Sequence, residues 1–204
     1  MRRAIFLVTT LVMAVALAGC GGGDGIVVSS PVSVVITGAV QSDGYIENNA
    51  GAYTDFQLDG IRTQSPLGLS LERRGFASFP ISLVPVGALV NSARVKLYVD
   101  YVLQDSPGTP VSLDVYHVYY GSPLLWSDFL APRIFVTTFT LWDTSTGDLP
   151  AFDLSPELQL DVDDSTHGFF QLMLIARNGV VEIEDSENSL GTGFLPELDV
   201  TYIP

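Results

Sequence analysis

The chain has 204 residues, 47% hydrophobic and 16% charged, with 23 Asp or Glu against nine Lys or Arg. Its formal charge of −14 makes nucleic acid and anionic lipid surfaces poor partners, because both would be repelled. A single cysteine, Cys20, excludes an internal disulfide, so the fold must rest on an apolar core, which a chain of this length can bury as one domain.

The first element is a leader. Met1-Arg2-Arg3 is a short cationic start, and from Ala4 to Ala18 only Thr9 and Thr10 are polar. That apolar run is shorter than the roughly 20 residues of a spanning helix, and glycines follow it instead of a basic stop-transfer flank. It reads as a cleaved signal peptide over residues 1–19, after which the chain keeps every acid and loses Arg2 and Arg3. Leu17-Ala18-Gly19-Cys20 resembles the bacterial lipobox, which implies lipidation of the Cys20 sulfur and cleavage just before it. The alternative, a leftover core thiol, fits poorly beside Gly21-Gly22-Gly23. Gly21 in place of Asp implies, by the same resemblance, the outer membrane rather than the inner one. Residues 20–33 then read as a flexible Gly/Ser-rich tether.

From 34 to 204 the pattern is that of one all-β domain, an antiparallel β-sandwich of about eight to ten strands. Short alternating or β-branched runs recur between Gly, Pro, Asn and Asp: "VSVVITGAV", "YTDFQL", "LGLSLE" and "FASFPISL" in the first half. The clearest is "SARVKLYVDYVL", in which Ala93, Val95, Leu97, Val99, Tyr101 and Leu103 share one face, which predicts one long strand. A Pro-Gly turn in "QDSPGTP" then leads to "VSLDVYHVYY", and the pair predicts a hairpin. Further strands are expected at "RIFVTTFTLW", "GFFQLMLIA", "GVVEIE" and "PELDVTYI". Between them "FDLSPELQL" reads as one helical turn with Ser155 as N-cap and Pro156 first in the helix.

The order "VPVGALVNSARVKLYV", "VSLDVYHV", "FDLSPELQ", "GFFQLMLIA", "EDSEN" and "LPELDVTYI" resembles the DNRLRE-type modules of bacterial surface proteins. The resemblance covers roughly residues 44–204, without the name-giving polar motif and with a single Trp in "LLWSDFLAP". It implies a jelly-roll sandwich grouped with carbohydrate-binding modules.

For chemistry, the chain lacks the short motifs of zinc hydrolases, nucleophile elbows and phosphate loops. Of its two histidines, His117 reads as packed inside a strand and His167 as a loop residue. Two acidic clusters, Asp161-Asp163-Asp164 and Glu182-Glu184-Asp185-Glu187, are candidate Ca2+ ligands, with solvated loop charge as the alternative and no metal residue assigned. The segment "VYHVYYGSPLLWSDF" supplies the ligand-binding candidates Tyr119, Tyr120 and Trp126, since flat rings stack on the C–H faces of sugars. The expected function is therefore a lipid-anchored, non-catalytic envelope module that binds a polysaccharide or other surface polymer. A structural or adhesion lipoprotein contacting protein partners is the second expectation and a polysaccharide hydrolase the third. No feature of the sequence specifies an oligomeric state.

Overall fold

The computed structural model describes residues 29–39, 42–57, 60–65, 71–188 and 190–204. The expected signal peptide, Cys20 and most of the tether lie outside the described residues. Thirteen strands form among them, in chain order β1 (Val32–Thr37), β2 (Gly44–Asn49), β3 (Ala52–Gln57), β4 (Ile61–Gln64), β5 (Leu71–Pro80) and β6 (Leu89–Lys96). These are followed by β7 (Tyr98–Gln104), β8 (Val111–Val118), β9 (Arg133–Leu141) and β10 (Gly147–Asp148). One helix, α1 (Ser155–Asp163), precedes β11 (Phe169–Arg177), β12 (Gly179–Ile183) and β13 (Glu197–Ile203).

The architecture is an all-β sandwich of two antiparallel sheets. One has three strands in the order β1-β13-β6, and the other ten, along the path β10-β7-β12-β4-β5-β11-β8-β9 with β2 and β3 added beside β5. The large sheet turns a corner between β4 and β5, which share only the pairing of Gln64 with Arg73. That corner folds the sheet back on itself, so β7 and β12 lie against β8 although four strands separate β7 from β8 along the path. The space enclosed is filled by one apolar core to which both sheets contribute, including Val95 and Val200 from the small sheet and Phe79, Leu113, Leu172 and Val181 from the large one.

The run expected as a single long strand is two. It breaks at Leu97, whose carbonyl accepts from the Leu149 N–H at 2.9 Å, and each half joins a different sheet. Ala93, Val95, Leu97 and Val99 are buried as the alternation predicts. Beyond Val99 the phase inverts, with Val102 buried and Tyr101 and Leu103 exposed. The cause is a β-bulge: Glu182 faces Tyr101 while Ile183 faces Val99, so Asp100 is the extra residue and everything after it changes face.

The expected hairpin does not form either. The Pro107-Gly108 turn is present, closed by Thr109 N–H to the Ser106 carbonyl at 3.1 Å, but β7 pairs with β12 and β10 while β8 pairs with β11 and β9. The "FASFP" of "FASFPISL" and the end of "LGLSLE" belong to one strand, β5, and Ile81, Ser82 and Leu83 lie in the connection after it. α1 is longer than the single turn expected, and its N-cap is Leu154. The Ser155 hydroxyl is instead engaged across the fold, accepting the Ala93 N–H at 2.9 Å and donating to Asp153 at 2.5 Å. β2 and β4 are additions to the expected set; "GYIENN" and "IRTQ" are short and polar, and form because β5 and β12 offer them open edges.

Leu97 belongs to the shared core at the point where the chain crosses from sheet to sheet, so Leu97→Ala is expected to cost about 2–5 kcal/mol while preserving one cooperative unfolding transition. Urea titration followed by tryptophan fluorescence and by circular dichroism checks both. A variant whose two probes melt separately would contradict the common core.

Candidate functional site

A second, smaller core lies on the other face of the large sheet. Ile46, Phe76, Val118 and Met173 project there and are capped by Leu124 and Phe129 from the connection between β8 and β9. The Gln57 side-chain amide donates to the Leu124 carbonyl at 2.7 Å, and Arg74 donates to the Phe129 carbonyl at 2.6 Å. The Arg74 guanidinium also lies 3.9 Å from the Phe129 ring centroid. Two apolar anchors thus hold a short 3-10 turn, Trp126–Leu130, on the sheet and turn its first residue outward. Trp126 is 57% exposed, with its indole 6.3 Å from the Tyr53 ring at 29°. Asp128 accepts the Leu125 N–H at 2.8 Å; burial raises its carboxyl above the ordinary range and neighbouring Asp55 adds to the effect. The result is an aromatic pair with two carboxylates nearby.

The three candidate rings are placed apart. Tyr120 points inward: its ring packs edge-on against Phe76 at 5.2 Å, its hydroxyl donates to the Ser42 carbonyl at 2.8 Å, and its N–H donates to Gln171 at 2.9 Å. Tyr119, the next residue back along the chain, turns toward the histidines, its ring stacked on His167 at 4.2 Å. Tyr119, 39% exposed, is stacked on His167, while Trp126 is the most exposed of the three and lies beside a second aromatic. The partner, Tyr53, sits in β3, far from Trp126 in sequence, which is why a scan for local aromatic clusters passes over it.

His117, His167 and Tyr119 converge on Asp161 of α1. His117 is buried and stacked on Phe170, as its strand position predicts, and its Nε2 lies 3.0 Å from Asp161 Oδ2. His167 Nδ1 lies 3.5 Å from Asp161 Oδ1. Burial, reinforced by the negative charge of Asp161, pushes the Tyr119 hydroxyl up to about 12. An imidazole oriented by a buried carboxylate is one half of a nucleophile-activating triad. The other half is missing among the described residues, because no Ser, Thr or Cys side chain is bonded to either ring and His117 Nδ1 has no hydrogen-bond partner. A cleft of about 190 Å³ beside the cluster is lined by Val84, Pro85, Val86, Val162, His167 and Gly168.

Two carboxylates of the second acidic cluster, Glu184 and Asp185, are structural, while Glu187 is exposed. Glu184 is buried and accepts from Leu190 N–H at 2.9 Å, Thr192 N–H at 2.9 Å and the Thr192 hydroxyl at 2.6 Å. Asp185, also buried, accepts from Gly60 N–H at 3.1 Å and Glu187 N–H at 3.1 Å. Calcium needs six to eight oxygens turned to one point. Among the described residues no group of three or more His, Cys, Asp or Glu side chains is placed to hold a metal ion.

A buried carboxylate that sequence reasoning passes over, Asp43, sits behind Tyr120. It accepts the Ser78 N–H at 2.7 Å and the Ser186 hydroxyl, and burial pushes its carboxyl up to about 7, with Asp185 adding to the effect. In sequence, "SDG" is an ordinary turn signal and carries no hint of this.

Family models and curated proteins offer no match to this chain. What the fold and geometry define is an all-β sandwich carrying an exposed Trp126 beside a partly buried Tyr53 on one face and a buried His117–Asp161 pair at one end.

Tyr120→Ala is expected to destabilise the protein by about 3–5 kcal/mol and Trp126→Ala by less than about 1 kcal/mol. Thermal and urea unfolding of the two variants side by side checks the contrast. For Asp43, a folded-state value above the ordinary 3.8 means that ionisation opposes folding. Its stabilisation is whole below about pH 4 and is lost as pH rises through about 7. Asp43→Asn should therefore match the parent near pH 4 and exceed it near pH 9 by about 2–4 kcal/mol. A pH series of urea midpoints in which both proteins lose stability in parallel would assign the titration elsewhere.

Proposed function

We propose that this protein is an exported, lipid-anchored, non-catalytic module of the cell envelope that binds a neutral glycan or similar surface polymer through the Trp126–Tyr53 patch. The observation that carries the reading is the presentation of Trp126: a turn pinned by Leu124, Phe129 and Arg74 holds one large ring 57% exposed beside a second ring. Flat aromatic faces bind the C–H faces of pyranose rings, and Asp128, in the same turn as Trp126, offers a carboxylate acceptor for sugar hydroxyls. The anchoring rests on Leu17-Ala18-Gly19-Cys20 and the glycines after it, with the outer membrane favoured by Gly21. The jelly-roll resemblance to DNRLRE-type modules points the same way. A formal charge of −14 selects against strongly anionic polymers.

A second reading, a structural or adhesion protein that contacts protein partners, is favoured by β9. This strand terminates the large sheet and exposes Ile134 and Phe135 along it, an arrangement suited to pairing with another chain.

A shallow patch of this kind should bind in the micromolar to millimolar range, about −4 to −8 kcal/mol. Calorimetry against a panel of neutral and acidic polysaccharides is the measurement. Trp126→Ala and Tyr53→Ala should each abolish detectable binding, while Tyr119→Ala, in a ring that covers His167, should leave it unchanged. Absence of binding to every polymer favours the adhesion reading. Release of reducing ends would replace a binding module by a hydrolase.

A further inference from the structure

The register of the small sheet fixes which end of the sandwich the chain enters. Val32, at the start of β1, faces Tyr202 of β13, and Tyr202 in turn faces Val90 of β6. The start of β1 and the start of β6 are therefore at one end, and the connection from β5 to β6, residues 81–88, lies there as well. The Tyr202 hydroxyl ties it down by donating to the Leu83 carbonyl at 3.1 Å.

That connection is apolar on both sides. Ile81, Val84 and Ala88 are buried in the main core, and the backbone is held by Ile81 N–H to Gly168 at 3.1 Å and Gly87 N–H to Val162 at 3.1 Å. Gly87 takes a positive φ of 77°, which turns the chain back toward β6. With the inner side chains fixed, Leu83, Val86 and Leu89 point the other way and are 58%, 65% and 57% exposed. No Asp or Glu occurs from Arg73 to Val99, so this knuckle carries no carboxylate of its own in a chain dominated by them. Three aliphatic side chains held outward on a fixed loop are not the scattered apolar surface of an ordinary exterior.

We infer that the Leu83–Val86–Leu89 knuckle is a lipid-docking surface that seats the sandwich end-on against the membrane holding the Cys20 anchor. The inference rests on the anchored reading above. Its occupant follows from where the chain leads: eleven residues separate Cys20 from Val32, a reach of at most roughly 40 Å, and they join the sandwich at the end that bears the knuckle. An acylated Cys20 would hold that end near the bilayer, where aliphatic side chains enter the acyl boundary at shallow depth. The lipid class follows from charge. Asp163 and Asp164 are exposed at the end of α1, and Asp163 is linked to the loop through Gln159, which donates to both Asp163 at 2.8 Å and the Ala88 carbonyl at 3.1 Å. These carboxylates oppose anionic headgroups, so the knuckle takes an uncharged or zwitterionic surface. Seated in this way, the protein lifts the opposite end of β6, at Lys96, away from the membrane.

The full-length protein, purified in detergent from a bacterium that processes it, is reconstituted on phosphatidylcholine vesicles with a polarity-sensitive dye on Val86→Cys or, as the control, on Lys96→Cys. The Val86 dye should shift to the blue and be quenched by brominated lipid, and the Lys96 dye should do neither. With the dye on Leu89→Cys, adding Leu83→Asp and Val86→Asp should abolish the shift, and unchanged melting temperatures verify that the variants fold. Vesicle-bound protein with both dyes in water overturns the docking and leaves the anchor standing. A chain that does not sediment with vesicles overturns the anchor and the docking together. Disulfide-linked dimers through Val86→Cys, formed equally with and without vesicles, place a second copy on the knuckle and overturn the lipid.

Discussion

Burial of the run Ala93, Val95, Leu97 and Val99 in one core is the constraint from which the rest of the structure follows. The run begins in the three-stranded sheet and ends in the ten-stranded one, so a single stretch of backbone spans both layers. Without a disulfide in the sandwich, the layers are held by apolar contact and by that continuity. β13 and β1 take their places because β6 is fixed. The bulge at Asp100 then swings the second half so that β12 can pair with it, and α1 closes against β6 through Ser155 and Gln159.

The carboxylates divide into two populations. Asp43, Asp161, Glu184 and Asp185 are buried and hold loops or rings, each bonded to backbone N–H groups, a hydroxyl or an imidazole. A buried carboxylate with several donors positions a loop as firmly as an apolar plug does, because leaving it unpaired would be costly. Asp114 belongs with them, buried and bonded to the Thr138 hydroxyl and Arg177, whereas Asp163 and Asp164 are exposed and contribute to the negative field. The acidic runs near residues 161–164 and 182–187 therefore contain structural ties and solvated charge side by side.

Much of the fold was legible in the alternation of side chains. β1, β8, β9, β11, β12 and β13 lie where β-branched and aromatic residues predict them. What was not legible depends on partners distant in sequence. A Pro-Gly turn at residues 107–108 looks the same whether it joins paired strands or carries the chain between layers, and a bulge leaves no local mark at Asp100. β2 and β4 owe their existence to open neighbouring edges rather than to composition. At the candidate site, Trp126 was legible as an aromatic in a loop, but its separation from Tyr120 was not. That difference is set by Phe76 below one ring and Tyr53 beside the other.

The strand order of the small sheet also bears on how the molecule comes into being. β13, residues 197–203, is the middle strand, flanked by β1 and β6. The side-chain bond between Ser33 and Thr201 closes a loop of 168 residues. A chain synthesised from its N-terminus holds the two flanking strands long before the one that joins them, and contacts of such separation form slowly. Until β13 has been made, the facing edges of β1 and β6 have no strand to pair with. Closure of the small sheet thus waits for β13, and the two strands beside it stay unjoined until then.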